Sequence, residues 1–296
     1  MKRRQEKLIT NIIRIAGSSS ILFIMLIFFF LMREGLPALT EVKLSDLFST
    51  RWYPIEDLFG ILPLLSGSLI VTVFSILIAL PLGVGTAIYI GEIAPKSVNE
   101  VLKPTIEILA GIPSVVLGFL GILVLSPLMR ETFNLPTGLT AFTGAFLLAL
   151  ISIPTIVSIA EDAIYAVPNT YRDAAYALGA SKWQVIWNVV LPAARSGILT
   201  AVMLGVGRSL GETMAVMMVT GNAPTVFRGL DSFIAPVRTM TATIASEMGE
   251  VASGSLHYHV LFFIGIILFV FSLIINVSSS STLAKRTAKS RAKMVS

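Results

Sequence analysis

The sequence predicts an all-α, polytopic membrane protein with six transmembrane helices. Three observations carry that expectation. Hydrophobic residues make up 55% of the chain and charged residues only 13%, too few charges to cover a water-soluble globule of 296 residues. Six apolar runs are long enough to cross a hydrocarbon core that needs about 20 residues of helix. The 22 Lys and Arg residues are distributed unevenly among the intervals between those runs, as expected where the bilayer sorts cytoplasmic from external segments.

The first run, 12–32, follows the basic stretch KRRQEK. It is longer than the apolar core of a secretory signal, and Met32-Arg33-Glu34-Gly35 offers no small-x-small cleavage pattern, so it is expected to remain as a span. Residues 33–60 form a polar interval in which Trp52 and Tyr53 suit either the headgroup boundary or a neighbouring loop. Further spans are expected over 61–90, 105–129, 139–159, 197–220 and 260–277, within a single transmembrane domain covering 1–296. Pro81 is expected to kink the second. An even number of spans puts both termini on one side. If that side is the cytoplasm, the tails together with 91–103 and 160–196 carry 15 basic residues against six in the external intervals, which chooses cytoplasmic termini. The interval 221–259 exceeds a simple turn, and its stretch 239–246 is compatible with a short re-entrant helix or with an outer loop.

A polar elbow, NTYRDAAYALGASKWQVIWNVVLP over 169–192, lies in the cytoplasmic interval 160–196. Thr170 with Asp173 is expected to cap a short helix that Gly179 stops in the left-handed conformation. Ser181 with Gln184 has the capping-box pattern for a second helix, expected to end before Pro192. Ala174, Ala175 and Ala177 beside Tyr171 and Leu178 give the first helix a low-relief face that a groove on another protein can approach closely.

In the fifth span Arg208 and Glu212 are four residues apart, on one face of a continuous helix. A charge at the bilayer centre costs about 2.5–3.5 kcal/mol on insertion scales. The two are therefore read either as an ion pair holding the bundle or as the lining of an anion pathway, for which the planar Arg fork is suited. Gly207 and Gly211 form a small-xxx-small pair beside them. Pro113 interrupts the third span, so the amides near Ser114 are free either to meet an anion or simply to accommodate a kink. No cysteine is present, and His257 and His259, at i,i+2, do not share a helical face, so no metal site is expected. The basic tails at 2–14 and 285–293 read as lipid contacts rather than as a nucleic-acid surface. No GxxxxGK[ST] phosphate loop (Walker A) occurs, so the chain is expected to be no enzyme.

Asp173-Ala174-Ala175, Gly179 and Val189-x-Leu191-Pro192 resemble the "EAA" loop of binding-protein-dependent ABC importer permeases, with Asp for Glu and Val for Ile. FGILP at 59–63, AGIPSVV at 110–116, GRSLGET at 207–213 and TMTA at 239–242 are similar to the phosphate-specific branch of that family, the opening more to its PstC type than to its PstA type. The resemblance implies a type I importer-permease architecture and a path for inorganic phosphate shared with a second, PstA-like permease. It also implies a PstB-like ATPase dimer that holds ATP and magnesium and a PstS-like external phosphate-binding protein. Arg208 and Glu212 match the family's charged pair, and Asp173, Ala174, Ala175, Gly179, Leu191 and Pro192 its ATPase-coupling loop. Another oxyanion, such as sulfate or molybdate, is the alternative cargo. An ion-coupled secondary transporter or channel is the alternative class. The implied location is the prokaryotic inner membrane.

Overall fold

A computed structural model describes residues 2–226 and 228–295, with side chains over 9–277 other than 230 and 231. The basic residues expected to meet lipid at 2–7 and 285–293 lie outside the described side chains. Helix α1 spans Lys2–Gly35. Two single-turn helices follow, α2 (Ala38–Glu41) and α3 (Leu44–Leu47), and then a hairpin of β1 (Trp52–Tyr53) and β2 (Leu58–Phe59), paired Trp52 to Phe59 and Tyr53 to Leu58. Helix α4 spans Leu62–Ile88 with Pro81 in its interior. Beyond it come α5 (Lys96–Gly111), α6 (Ser114–Leu120), α7 (Ser126–Thr132) and α8 (Ala141–Tyr165). The second half holds α9 (Asn169–Ala177), α10 (Lys182–Val185), α11 (Leu191–Gly211), α12 (Met214–Val219), α13 (Met240–Glu247) and α14 (Leu256–Val295).

Six stretches among the described residues are long and apolar enough to cross a membrane: Ile9–Glu41, Leu62–Ile93, Ser114–Thr132, Ala141–Tyr165, Lys182–Gly211 and Leu256–Val277. Two differ from the expected runs in a way that matters. The third begins at Ser114 rather than 105, because Ile112 and Pro113 are extended (ψ 128° and 134°) and end α5. Helix α5 carries Lys96, Glu100, Lys103 and Glu107 and is amphipathic; Lys103 reaches across to Glu161 of α8 at 2.9 Å. The fifth begins at Lys182 rather than 197 and stops at Gly211.

The early start is explained by a π turn. Backbone NH of Leu191 bonds the carbonyl of Ile186, five residues back, over the π turn Ile186–Val190. Widening the turn moves the carbonyls clear of the ring of Pro192, which has no N–H to give and would otherwise strike the carbonyl four residues before it. Pro192 therefore sits in the first turn of α11 instead of ending the helix. The same device recurs at the π turn Gly121–Leu125, which leads into α7 two residues before Pro127; the π turn Tyr89–Ile93 instead closes α4, because Ala94 and Pro95 are extended.

Helices α4, α8 and α11 form the centre. Small residues let them close up: Ala79, Ala149, Ala160 and Ala201 are fully buried, and a Cβ on Gly205 would stand 2.6 Å from Ile156. Helix α1 lies on α14 through Phe28 with Phe269 and Phe30 with Phe262. Its apolar window has none of its residues buried within the chain.

Candidate functional site

The elbow forms as two helices meeting at a left-handed glycine. Helix α9 starts directly after Pro168 with no side-chain cap, so Thr170 lies inside it and does not cap it. At the far end Gly179 adopts φ +80°. Its N–H bonds the Tyr176 carbonyl at 2.9 Å, and the Ala180 N–H bonds the Ala175 carbonyl at 3.1 Å, the paired bonds of a glycine C-cap. Ser181 then opens α10 with a complete capping box, accepting from the Gln184 N–H while Gln184 accepts from its own. Asp173 and Ala174 are exposed, whereas Ala175 is half-buried against the core around Ile164 and Val185. Leu178 is 90% exposed, with Tyr171, Tyr176, Trp183 and Trp187 also open. Leu191 and Pro192 lie apart from that face, in the α11 start.

Sequence reasoning missed what fastens this elbow. The Arg172 guanidinium meets the Glu92 carboxylate at 2.5 Å and bonds the Ile164 carbonyl at 3.0 Å. The partners are 80 residues apart, so no local pattern announces them.

The membrane-embedded candidates are placed differently from expectation. Arg208 and Glu212 do not form an ion pair. Glu212 follows the last helical residue of α11 and is extended (φ −69°, ψ 129°), so the i,i+4 face is not continued to it. Its Oε1 instead accepts from the Thr213 and Ala215 N–H groups, each at 3.2 Å, capping α12. Its carbonyl accepts from Thr241 Oγ1 on α13 at 3.1 Å. Arg208 donates from Nη1 to Thr155 Oγ1 on α8 at 3.0 Å, and no carboxylate lies within ion-pair distance of it among the described residues. The guanidinium is thus half-buried with a neutral partner.

Ser114 opens α6 just beyond the Pro113 break. Gly118 lies against Ala215 and Met218, and Gly121 against Val219, so α6 and α12 run side by side in the same direction. The two interrupted helices therefore resume at neighbouring depths, each at the positive end of a short dipole, with the Thr213 and Ala215 N–H groups of the α12 start taken by Glu212. Behind them Ser209 Oγ sits 3.2 Å from Ser75 Oγ and 2.8 Å from Ser152 Oγ, all three buried. Ser68, Thr72 and Ser75, at i, i+4 and i+7 on an apolar helix, were the legible trace of that polar seam.

At the end opposite the elbow, Glu247 is the hub of a second cluster. It accepts from Trp52 Nε1 at 3.2 Å, pairs with Arg238 at 2.8 Å and meets His257 Nε2 at 2.8 Å. Trp52 therefore packs on neighbouring structure, edge-on to Phe59 and His257. Burial pushes the Glu247 carboxyl up, but the hydrogen bonds from His257 and Trp52 and the Arg238 charge outweigh it, so the group lies below its ordinary value. His259 bonds the Glu34 carbonyl. No group of three or more metal-ligating side chains occurs among the described residues.

The family model described as "Binding-protein-dependent transport system inner membrane component" matches residues 79–286. Among curated relatives, a "Probable ABC transporter permease protein YqgH" of Bacillus subtilis is 41% identical over 228 residues, 76% of this chain and 73% of its own. A "Phosphate transport system permease protein PstC" of Mesorhizobium japonicum is 38% identical over 257 residues, 80% of this chain and 77% of its own. Among solved structures, a bacterial alginate ABC transporter bound to its periplasmic protein superposes with a TM-score of 0.60 at 15% identity, covering 90% of this chain and 92% of that one. An inward-facing MetNI methionine ABC transporter gives 0.56 at 19% identity, covering 76% and 93%.

Proposed function

The chain belongs to the family of binding-protein-dependent transport system inner membrane components, and we propose that it is a PstC-like permease subunit of an ATP-driven importer of inorganic phosphate. Relatives named as phosphate permeases, 34–38% identical over most of their length, support the cargo. The observation that carries the mechanism is Arg208, a cation inside the fifth span whose described partner is a hydroxyl rather than a carboxylate.

A charge held that way still has donors to give. Phosphate entering a path beside α11 meets a planar fork able to bind two of its oxygens at once. With no carboxylate to displace, the anion does not have to break an ion pair. The free amides at the α6 start near Ser114 add a second weak contact. Glu212 holds the α12 start in position and keeps negative charge near the path, which favours release over trapping.

The elbow is the natural place for force to enter. Its exposed Asp173, Ala174 and Leu178 face would seat in a PstB-like ATPase dimer that holds the ATP and magnesium, and Gly179 sets the angle between the two short helices. Leu191 and Pro192 continue the elbow into α11, so its tilt is passed to the span that bears Arg208. A second, PstA-like permease completes the path, and a PstS-like external protein delivers phosphate to the Glu247 end. In this arrangement both termini and the elbow face the cytoplasm.

Labelled-phosphate uptake by vesicles holding the four-component complex tests the reading. Arg208→Gln is expected to abolish ATP-driven uptake while the complex still co-purifies, and excess sulfate or molybdate should not compete with wild type. Near-normal uptake by Arg208→Gln refutes the pathway role, and strong competition by molybdate or sulfate refutes the cargo.

A further inference from the structure

We propose that Arg172 and Glu92 form a strut that carries elbow movement directly into the second span, which no loop joins to the elbow. The inference rests on the transport reading above and adds to it the residues that transmit the stroke.

Chain connectivity ties the elbow to α8 on one side and to α11 on the other. Helix α4 has no such link, yet it packs on both at the core, most extensively on α8. The guanidinium of Arg172 supplies one. Its Nη2 and Nε lie 2.5 and 3.1 Å from the same Glu92 oxygen. Its Nη1 donates to the Val167 carbonyl at 2.5 Å and its Nη2 also to the Ile164 carbonyl at 3.0 Å. One planar group thus joins α9, the C-terminal end of α8, and the π turn that closes α4. The α8 carbonyls are the negative end of that helix, where a cation is favoured.

Two features make the joint stiff. The Arg172 and Glu92 side chains are only 15% and 9% exposed, so the pair is little screened, and separating it would strand a buried charge. Helix α9 buries no residue of its own; apart from the half-buried Ala175, its packing offers little other grip. The turn that carries Glu92 is itself tied to the start of α5, because Asn99 Nδ2 donates to the Ile90 carbonyl at 2.9 Å. A push on α9 is therefore expected to move the end of α4 together with α8. Loss of the strut should leave the elbow moving while α4 lags.

Two measurements on the full complex in vesicles test this. Glu92→Gln keeps the Arg172 bonds to α8 and removes the ion pair; it is expected to assemble and hydrolyse ATP while phosphate imported per ATP falls on the order of tenfold. A wild-type ratio in the assembled complex overturns the strut. Should Glu92→Gln fail to assemble, Glu92→Asp keeps the charge but withdraws the carboxylate by one methylene: an intermediate ratio supports the strut, and either a wild-type ratio or failed assembly overturns it. The second measurement does not depend on the cargo. The chain has no cysteine, so spin labels on Thr170→Cys and Leu82→Cys report the α9 to α4 distance alone. Nucleotide trapping should leave that distance unchanged in wild type and alter it in Glu92→Gln. Equal behaviour of the two refutes the strut even if phosphate proves to be the wrong substrate, whereas a wild-type complex that imports no phosphate refutes only the transport reading.

Discussion

Replacing Glu212 separates a cap from an ion pair, because the two roles fail differently. Its carboxylate accepts two backbone N–H bonds at 3.2 Å at the start of a helix only six residues long, whose other support is the packing of Ala215, Val216 and Val219. Losing a capping side chain costs about 0.5–2 kcal/mol, and hydrogen bonds to a charged group sit toward the upper end of such values. Glu212→Ala should therefore ease local opening of α12 by about 2 kcal/mol, and Glu212→Gln, which keeps one acceptor oxygen, by about 1 kcal/mol. With tenfold in an equilibrium for about 1.4 kcal/mol, amide exchange in a peptide covering 213–219 is expected to accelerate roughly thirtyfold and fivefold. Hydrogen-exchange mass spectrometry of the reconstituted complex measures it. Unchanged exchange in Glu212→Ala would refute the capping role. The exchanged pair, Arg208→Glu with Glu212→Arg, is expected not to restore uptake, since the two side chains are not partners; restoration would show that they pair after all.

Gly179→Val is expected to leave the spans inserted but uncouple ATP hydrolysis from uptake: nothing crowds the position, yet φ +80° is poorly tolerated by a β-branched residue. Unchanged uptake and substrate-stimulated hydrolysis would remove Gly179 as a geometric element. The Glu247 cluster should be sensitive to acid. A depressed carboxyl value contributes stability that is full above the ordinary value of 4.5 and is lost as pH falls through the lower folded value. Trp52 emission, read with Trp183 and Trp187 changed to Phe, should therefore stay constant down to about pH 4.5 and shift below it. The same shift in Glu247→Gln would show that the carboxylate is not its source.

How much of this was legible in the sequence depended on whether the governing contact was local. The elbow could be read nearly residue by residue, because a glycine C-cap and a capping box are made within four or five positions. The helix begun at Thr239, whose side chain accepts from Ala242, is governed just as locally, although the sequence left 239–246 open between a short helix and an outer loop. The break at Pro113 was legible too, though not its consequence. Ile106, Ile108 and Leu109 read as the start of a span, whereas the charges interleaved with them mark an amphipathic helix that gives one face to α8. The start of the fifth span was misplaced for the opposite reason. A proline reads as a helix end, and the π turn that accommodates it leaves no residue signature of its own beyond the proline.

The expectation that Arg208 and Glu212 share one face, and with it the ion-pair reading, failed at a single assumption, that the helix ran unbroken between them. An i,i+4 pairing is a statement about backbone continuity before it is one about charge. Gly211-Glu212-Thr213 contained the warning, since a glycine followed by a carboxylate and a hydroxyl is the composition of a helix end followed by a new cap. Once the break is admitted, the two charges acquire separate duties, one fixing a helix start and the other with no counter-charge beside it among the described residues. The converse holds at the elbow, where Arg172 and Glu92 pair although 80 residues separate them. In a membrane chain a carboxylate near an arginine in sequence is thus weaker grounds for a pair than burial of both, because the cost of an isolated buried charge acts on the folded neighbourhood and not on the spacing.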